Sequence, residues 1–201
     1  MGAITKTGTD FQLIYGEEKI VFTEIVEVKK QEKQTLVNLM EKYLYDFSQW
    51  EKTDVDENGN YGYEYLDCYF EDENRYPNFI KVDGKLAGFV LISDYPEVPE
   101  ETTDYCLSEF FVLHKYRRFG VGKTAVRMIL DKHHGKWQLK RHPHNIASVK
   151  FWDTVIREYT DGAYRLVKAY PNHEADYEDG AAADVFSSRI RETAFNLRRY
   201  I

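Results

Sequence analysis

The pattern of apolar and polar positions predicts a chain of alternating strands and helices. Residues 20–28 are rich in Val, Ile and Thr and predict a first strand, because β-branched residues favour strands. A first helix follows, since apolar residues recur at helical spacing at Leu36, Met40, Tyr43, Leu44 and Phe47. An acidic stretch over residues 51–62 indicates a loop, and the aromatic run 61–70 indicates a short helix.

A β-hairpin is predicted in the middle of the chain. Residues 79–82 and 85–92 flank Asp83-Gly84, a pair that tolerates the positive φ angles of a two-residue turn. The elements that follow are a strand at 105–113, a helix from Val121 to Gly135, a strand at 137–141, a helix capped by Asn145, and strands at 164–170 and 183–187.

Composition excludes several classes of function. The 201 residues carry a formal net charge of -7, which opposes a nucleic-acid surface because phosphates need concentrated cations. The sequence has neither a stretch of membrane-spanning length nor a signal peptide, so a cytoplasmic protein is expected. Cys68 and Cys106 are too far apart for a CxxC site and do not form a disulfide framework. No linker divides the chain, so residues 1–201 are expected to form a single domain.

Two glycines at the predicted strand–helix junction, Gly120 and Gly122, indicate an anion site. Free N–H groups at the start of a helix bind phosphate, and glycine lets a pyrophosphate approach without meeting a Cβ atom. Arg117, Arg118 and Lys123 add positive charge. A simple tight turn would explain the same two glycines.

Two other phosphate-binding motifs fit this segment less well. A P-loop would need its first glycine at the position of Arg117. A dinucleotide-binding fingerprint accepts Ala125 as its third small residue, but Asp131 comes too early to bind a ribose. The P-loop is therefore excluded, and the dinucleotide fingerprint lacks its acidic ribose partner.

The segment from Val112 to Gly122 resembles motif A of the GNAT N-acetyltransferases, Q/R-x-x-G-x-G/A. Arg117, Gly120 and Gly122 occupy its fixed positions. In that family the preceding strand pairs with the pantetheine arm, and the loop N–H groups hold the pyrophosphate of acetyl-CoA. The resemblance implies that acetyl-CoA, as co-substrate, is bound by Phe110, Phe111, Val112, Arg117, Arg118, Phe119, Gly120, Val121, Gly122 and Lys123.

A second segment, Asn145 to Trp152, is similar to the family's helix start N-x-x-A-x-x-hydrophobic-aromatic, which lies beside the pantetheine and thiol. The resemblance implies coenzyme contacts at Asn145, Ser148 and Trp152, although Asn145 would also serve as an ordinary N-cap. Ser148 replaces the usual alanine. Trp152 stands where many GNAT enzymes have a tyrosine that protonates the departing thiolate. The motif core spans residues 105–156, and the chain looks like the small bacterial predicted acetyltransferases.

Glu109 is the candidate catalytic residue. Acyl transfer to an amine needs a base that removes the ammonium proton. Glu109 lies three residues before Val112, on the strand where a number of GNAT enzymes place an acidic residue. A carboxylate paired with a nearby Arg or Lys is the alternative interpretation.

The acidic residues and histidines do not predict a metal site. Residues 54–59 match the first half of an EF-hand loop, but Tyr65 stands where the bidentate glutamate is needed. His133-His134 and His142-Pro143-His144 lack the further ligands of a complete site. The aromatic cluster within residues 61–70 is expected to pack in the core and at its rim. Its place in the topology would also bring it near the acceptor groove, where tyrosines can hold an amine by cation–π contact.

Together these features predict an α/β (α+β) fold with a GNAT-like mixed, mostly antiparallel central sheet, flanked by helices and open beside Phe111. The reaction implied is direct transfer of an acetyl group from acetyl-CoA to a primary amine of a small molecule or peptide. A non-catalytic acyl-CoA-binding regulatory module is the alternative, followed by a calcium-responsive interaction protein. No nucleic-acid or membrane partner is expected, a homodimer is left open, and residues 189–201 form either a docked helix or a frayed tail.

Overall fold

The computed structural model describes residues 21–98, 100–169 and 182–190. Its strands are β1 (Thr23–Glu27), β2 (Tyr76–Val82), β3 (Lys85–Ser93), β4 (Tyr105–Val112), β5 (Gly135–Arg141), β6 (Arg165–Val167) and β7 (Asp184–Ile190). Its α-helices are α1 (Lys33–Glu51), α2 (Cys68–Glu71), α3 (Val121–Lys132) and α4 (Ile146–Thr160). Of the predicted tail at 189–201, only Arg189 and Ile190 are described, and they end β7; Ile20 and Tyr170 also lie outside the described residues.

The strands form one sheet in the order β1-β2-β3-β4-β5-β7-β6. Neighbouring strands are antiparallel except β4 and β5, which run parallel. The predicted mixed, mostly antiparallel sheet is therefore confirmed. The predicted hairpin is also present, with Asp83 at φ 50° and Gly84 at φ 72° in the left-handed region that its turn requires.

Helices cover both faces of the sheet. Successive residues of a strand point to opposite faces, so Phe110 and Phe111 of β4 contact different helices. The Phe111 ring lies 5.8 Å from that of Tyr43 in α1, and the Phe110 ring lies 5.4 Å from that of Trp152 in α4. The face under α1 and α2 buries Leu36, Leu39, Met40, Leu66, Tyr69, Phe79, Phe89 and Leu91. The face under α3 and α4 buries Val90, Ile92, Leu107, Val126, Ile129, Leu130, Val155 and Ile156.

Several elements differ in length from their predictions, and for three of them the structure gives the reason. Strand β6 is shorter, because Ala169 has φ 48° and cannot continue an extended chain. Strand β7 continues to Ile190, because β5 offers it pairing partners along its whole length. Helix α3 ends before Gly135, since His133 already has the extended angles φ -121° and ψ 105°.

The sheet opens between β4 and β5. Tyr105 and Cys106 of β4 pair with Trp137 and Gln138 of β5, and beyond them the two strands diverge. A bulge contributes to this divergence: the β3–β4 register shifts where Ser108 has no opposing residue in the β3 ladder. Bulges bend a strand and increase its twist. The opening lies beside Phe111, where the sequence predicts it.

Candidate active site

A groove of about 990 Å³ occupies the gap between β4 and β5. It passes through the sheet, because residues from the helices on both faces line it. From α1 the groove is lined by Tyr43, Asp46, Phe47 and Trp50, from β4 by Glu109, Phe110, Phe111 and Val112, and from α4 by Ser148, Phe151 and Trp152. A ligand in this groove would reach the edge of β4 from either face of the sheet.

The edge of β4 presents backbone donors to the groove. The N–H of Leu113 donates to the carbonyl of Ala87 on the β3 side, at 2.8 Å. Alternate residues of a strand direct their backbone groups to opposite sides. Phe110 and Val112 therefore direct their N–H groups into the gap, whereas the backbone of Phe111 faces β3 and only its side chain lines the groove.

The start of α3 supplies a second set of donors at the groove. The first bond of the helix runs from the Thr124 N–H to the Gly120 carbonyl, at 2.9 Å. The N–H groups of Val121, Gly122 and Lys123 precede that bond, and no described side chain caps them. Such a turn of free N–H groups binds anions, with support from the helix dipole.

The two motif glycines are required for different reasons. Gly120 has φ 76°, a conformation that favours glycine, and a Cβ atom there would meet nothing within 4 Å. At Gly122 a Cβ atom would lie 3.2 Å from Cε2 of Phe151, so the glycine lets that ring pack against the start of α3. Gly120 therefore shapes the loop, and Gly122 allows α3 and α4 to pack closely.

Two of the three cations expected at this loop are bound to carboxylates. Arg117 donates from Nη2 to Asp46 Oδ2 at 2.6 Å and from Nε to the Val112 carbonyl at 2.7 Å, and Lys123 pairs with Glu158. Burial opposes ionisation of Asp46, but Arg117 and His114 outweigh burial and hold the pKa of Asp46 below its ordinary value. Arg117 therefore links α1 to the end of β4.

The remaining predicted loop residues occupy different environments. Arg118 lines the groove and has φ 69°, and none of the ion pairs among the described residues includes it. Phe119 is 57% exposed and Val121 is 1% exposed, and neither side chain is among those lining the groove. Any contact of Phe119 or Val121 with a ligand in the groove would therefore come from the backbone.

The start of α4 forms another part of the groove wall. Asn145 is the N-cap, with its Oδ1 accepting from the Ser148 N–H at 3.1 Å, so this side chain has the ordinary capping role. Trp152 is buried, and its ring lies 4.9 Å from that of Phe151 and 5.4 Å from that of Phe110. These three aromatic residues form the apolar floor of the groove.

Glu109 is hydrogen-bonded to tyrosines. Tyr63 Oη donates to Glu109 Oε1 at 3.0 Å, and the Tyr43 hydroxyl is a second donor. Burial raises the pKa of Glu109 to about 7, against the effect of these two hydrogen bonds. No described Arg or Lys forms an ion pair with Glu109, and Lys140 pairs instead with Glu97 at 3.3 Å. The charge of Lys140 also acts on Glu109 and lowers its pKa, together with the two tyrosine hydroxyls.

Sequence reasoning missed the partners of Glu109 and Arg117. The tyrosines of residues 61–70 do not line the groove: Tyr63 lies against Glu109, Tyr65 is 64% exposed and Tyr69 is buried. Asp46 and Tyr43 are recognised in the sequence only as part of a helix. No local pattern identifies any of these contacts, because the partners are far apart in the chain.

No group of three or more metal-binding side chains occurs among the described residues, and no helix in that part of the chain is long and apolar enough to cross a membrane. Neither finding changes the backbone and side-chain groups that the groove offers to a ligand. Its N–H groups suit an anionic group of a ligand, and its apolar floor suits an extended chain.

Comparisons with solved structures and with a family model agree with this geometry. No curated protein matches the sequence. The structure resembles the histone acetyltransferase HPA2 and related acetyltransferase from Corynebacterium glutamicum, with TM-score 0.59, 9% identity and coverage of 86% of this chain and 99% of that one. It also resembles an acetyltransferase from Thermus thermophilus, with TM-score 0.57, 13% identity and coverage of 83% and 96%.

A third similar structure is the ribosomal-protein-S18-alanine N-acetyltransferase from Escherichia coli, with TM-score 0.51, 14% identity and coverage of 88% of this chain and 99% of that one. At these identities the likeness concerns the fold alone. The model of the GNAT acetyltransferase family matches residues 36–154, which include both glycines, the start of α4 and the residues that line the groove except Val155. The chain therefore belongs to the GNAT acetyltransferase family.

Proposed function

We propose that the protein transfers an acetyl group from acetyl-CoA directly to a primary amine of a small molecule or peptide. One observation carries the proposal: a single groove contains the free N–H groups that start α3 and the carboxyl of Glu109. The first suits a pyrophosphate, and the second suits an amine that must lose a proton. A cytoplasmic location, and the absence of a nucleic-acid or membrane partner, remain predictions that accompany the proposal.

The residues divide the proposed reaction between them. Glu109 accepts the proton of the ammonium group, so that the nitrogen lone pair can form a bond to the thioester carbon. The N–H groups of Phe110 and Val112 face the gap and would donate to the oxyanion. The oxyanion then reforms the carbonyl as the carbon–sulfur bond breaks, and the sulfur leaves as a thiolate. The nitrogen releases its second excess proton to water to give the amide, and the thiolate takes a proton from water.

The experiment that tests the proposal is a thiol-release screen. Acetyl-CoA is supplied with polyamines, aminoglycosides, amino acids or peptide N-termini, and free thiol is measured over time. We expect release that depends on one class of amine, with a matching acetylated product by mass spectrometry. Release at the same rate without amine would indicate hydrolysis and would contradict the proposal.

Trp152 favours a second candidate, an acyl-CoA-binding module without turnover. Its indole N–H is a hydrogen-bond donor that does not transfer a proton at neutral pH. The position therefore cannot supply the acid that the tyrosine of other GNAT enzymes supplies. Binding of acetyl-CoA without amine-dependent thiol release in the screen would select this candidate.

The variant Trp152→Phe is expected to retain most of the turnover if the protein is an enzyme. Phenylalanine preserves much of the apolar contact with Phe110 and Phe151 and removes only the indole donor. A thiol with a pKa near 8.5 is a fair leaving group and does not require a general acid. Steady-state kinetics and thermal unfolding check the prediction. A loss of about two orders of magnitude in kcat, with Tm and coenzyme affinity intact, would assign the indole a direct role.

Acetyl-CoA is expected to stabilise the protein, and Gly120→Val is expected to abolish that stabilisation. A ligand at about 100 times its Kd adds roughly 2.7 kcal/mol to the free energy of unfolding. Valine at Gly120 would place a branched side chain beside the donors of α3 and strain a φ of 76°. The measurement is the shift in unfolding midpoint with and without acetyl-CoA.

Gly162→Val is the matched control for that variant. Gly162 follows α4, has φ 80°, and also has nothing within 4 Å of the position of a Cβ atom. Both variants therefore carry similar backbone strain, but Gly162 does not line the groove. We expect acetyl-CoA to stabilise Gly162→Val as it stabilises the parent protein. If acetyl-CoA raised the unfolding midpoint of Gly120→Val as much as that of the parent protein, the coenzyme would not bind at the start of α3.

A further inference from the structure

Tyr63 contacts Glu109 but does not line the groove. Its hydroxyl donates to Glu109 Oε1 at 3.0 Å, and Tyr63 is not among the described residues that line the groove. A ligand in the groove would therefore contact Glu109 without contacting Tyr63. We infer that Tyr63 is a positioning residue, which holds the Glu109 carboxylate in place and in its ionised form so that it can act as the base. This inference rests on the proposed function.

The loop that carries Tyr63 is fixed to α1. The carboxylate of Glu41 accepts hydrogen bonds from the N–H groups of Tyr61, at 2.8 Å, and of Gly62, at 2.9 Å. Glu41 lies two residues before Tyr43, the second hydroxyl donor to Glu109. One helix therefore helps to set the position of both tyrosines, because Tyr43 lies on it and the loop that carries Tyr63 is hydrogen-bonded to it.

Packing restricts both tyrosine rings. The Tyr43 ring lies 5.8 Å from the ring of Phe89 and 5.8 Å from that of Phe111, on strands β3 and β4. The Tyr63 ring packs against the core under α1 and α2, and it also contacts the ring of Tyr65 at 5.9 Å. Because both rings are held by their neighbours, their hydroxyls stay directed at Glu109 without further ordering when an amine binds.

The groups around Glu109 have opposing effects on its ionisation. Burial raises the pKa of Glu109 most, and Glu97 raises it further. The hydroxyls of Tyr43 and Tyr63 and the charge of Lys140 lower it. A further hydroxyl nearby, that of Tyr69, bonds to Ser108. Burial and the charge of Glu109 raise the pKa of Tyr63, so Tyr63 remains protonated and can only be a donor to the carboxylate.

Tyr63→Phe is expected to move the acidic limb of the kcat/KM profile to higher pH by about one pH unit. A hydrogen bond to a charged acceptor stabilises the ionised form by an amount of this order. If the limb moves by about one pH unit, activity at pH 6 should fall about tenfold. Near pH 9, where Glu109 is ionised in both proteins, activity should return to that of the parent.

Tyr61→Phe is the matched control for this variant. Tyr61 belongs to the same loop, and its hydroxyl donates to Ser48 Oγ at 3.2 Å rather than to Glu109. We expect the acidic limb of Tyr61→Phe to coincide with that of the parent. An equal loss of kcat/KM at every pH in Tyr63→Phe, with no recovery near pH 9, would show that Tyr63 only supports the fold and would overturn the inference.

A second readout separates this inference from the proposed function. The pKa of the Glu109 carboxyl is measured by carbon-13 NMR titration of the full chain, with Glu109→Gln identifying the signal. A higher Glu109 pKa in Tyr63→Phe supports the positioning role even if no amine is acetylated, in which case only the proposed function fails. An unchanged Glu109 pKa overturns the positioning role, whatever the turnover.

Discussion

Glu109→Gln is expected to lower kcat by about 10²- to 10⁴-fold and to leave the affinity for acetyl-CoA nearly unchanged. General base catalysis contributes an acceleration of that size, and glutamine cannot accept the proton of the amine. Glutamine has a similar shape and can still accept hydrogen bonds from Tyr43 and Tyr63, so the groove should be preserved. Steady-state kinetics with the best amine, together with a coenzyme titration, measure the two effects separately.

The same substitution should change how stability depends on pH. Burial raises the folded-state pKa of Glu109 from its ordinary value of 4.5 to about 7. Between these two values the folded protein holds a proton that the unfolded chain releases, so the stability of the parent protein falls as pH rises. Above the folded pKa this contribution is constant. Glu109→Gln lacks this titration and should gain stability relative to the parent as the pH rises from about 4.5 to about 8.

Urea unfolding of the parent and of Glu109→Gln at both ends of that pH range tests this linkage. Glu57→Gln, in the exposed loop after α1, is the control that removes a carboxylate without removing a buried one. A Glu109→Gln protein that fails to fold would assign the carboxylate a structural role. Full turnover in a folded Glu109→Gln protein would mean that a chain of water molecules removes the proton.

The sequence identifies the parts of the fold and site that depend on local residue order. Asp83-Gly84 predicts its hairpin because the turn requires positive φ angles, and Gly120 predicts the loop before α3 for the same reason. The spacing of apolar residues in α1 predicts which side is buried, as Leu36 and Met40 confirm. Each of these signals lies within a few neighbouring residues, so each can be recognised without knowledge of the tertiary fold.

Other parts of the site depend on contacts between distant residues. Asp46 and Arg117 are 71 positions apart, and Tyr63 and Glu109 are 46 positions apart. Their residue types carry no pattern that pairs them, because only the packing of α1 on β4 brings them together. The sequence predicts a positive charge from Arg117 at the coenzyme loop, but Asp46 of α1 neutralises that charge. The sequence therefore predicts the N–H donors of the groove but not the residues that surround Glu109.

Arg141 makes further long-range contacts that the sequence does not reveal, because the sequence predicts it only as the last residue of a strand. Its guanidinium is buried and bonds to Asp153 Oδ1 at 2.8 Å, the Val149 carbonyl at 2.9 Å and Asp184 Oδ2 at 3.1 Å. It also lies 4.6 Å over the ring of Phe186. One side chain thereby joins the end of β5 to α4 and β7, beside the gap that forms the groove.

Arg141→Met is expected to lower the free energy of unfolding by about 3–5 kcal/mol, because removing one partner leaves the charge of a buried ion pair uncompensated. Methionine keeps an apolar side chain over Phe186, so the loss should come mainly from the uncompensated charge of Asp184, which is itself buried. Since Arg141 holds the first turns of α4, the affinity for acetyl-CoA should fall as well. Urea unfolding at pH 7 and a coenzyme titration measure the two effects.

Two further variants identify the cause of that loss. Arg165→Met removes an arginine that pairs with Glu101 at an exposed site, where ion pairs contribute at most about 1 kcal/mol. Adding Asp184→Asn to Arg141→Met removes the uncompensated charge, so the double variant should regain part of the stability that the single variant lost. If Arg141→Met costs no more than Arg165→Met, the buried cluster does not hold β5, α4 and β7 together. If the double variant is less stable than Arg141→Met, the loss comes from packing and missing hydrogen bonds rather than from the charge of Asp184.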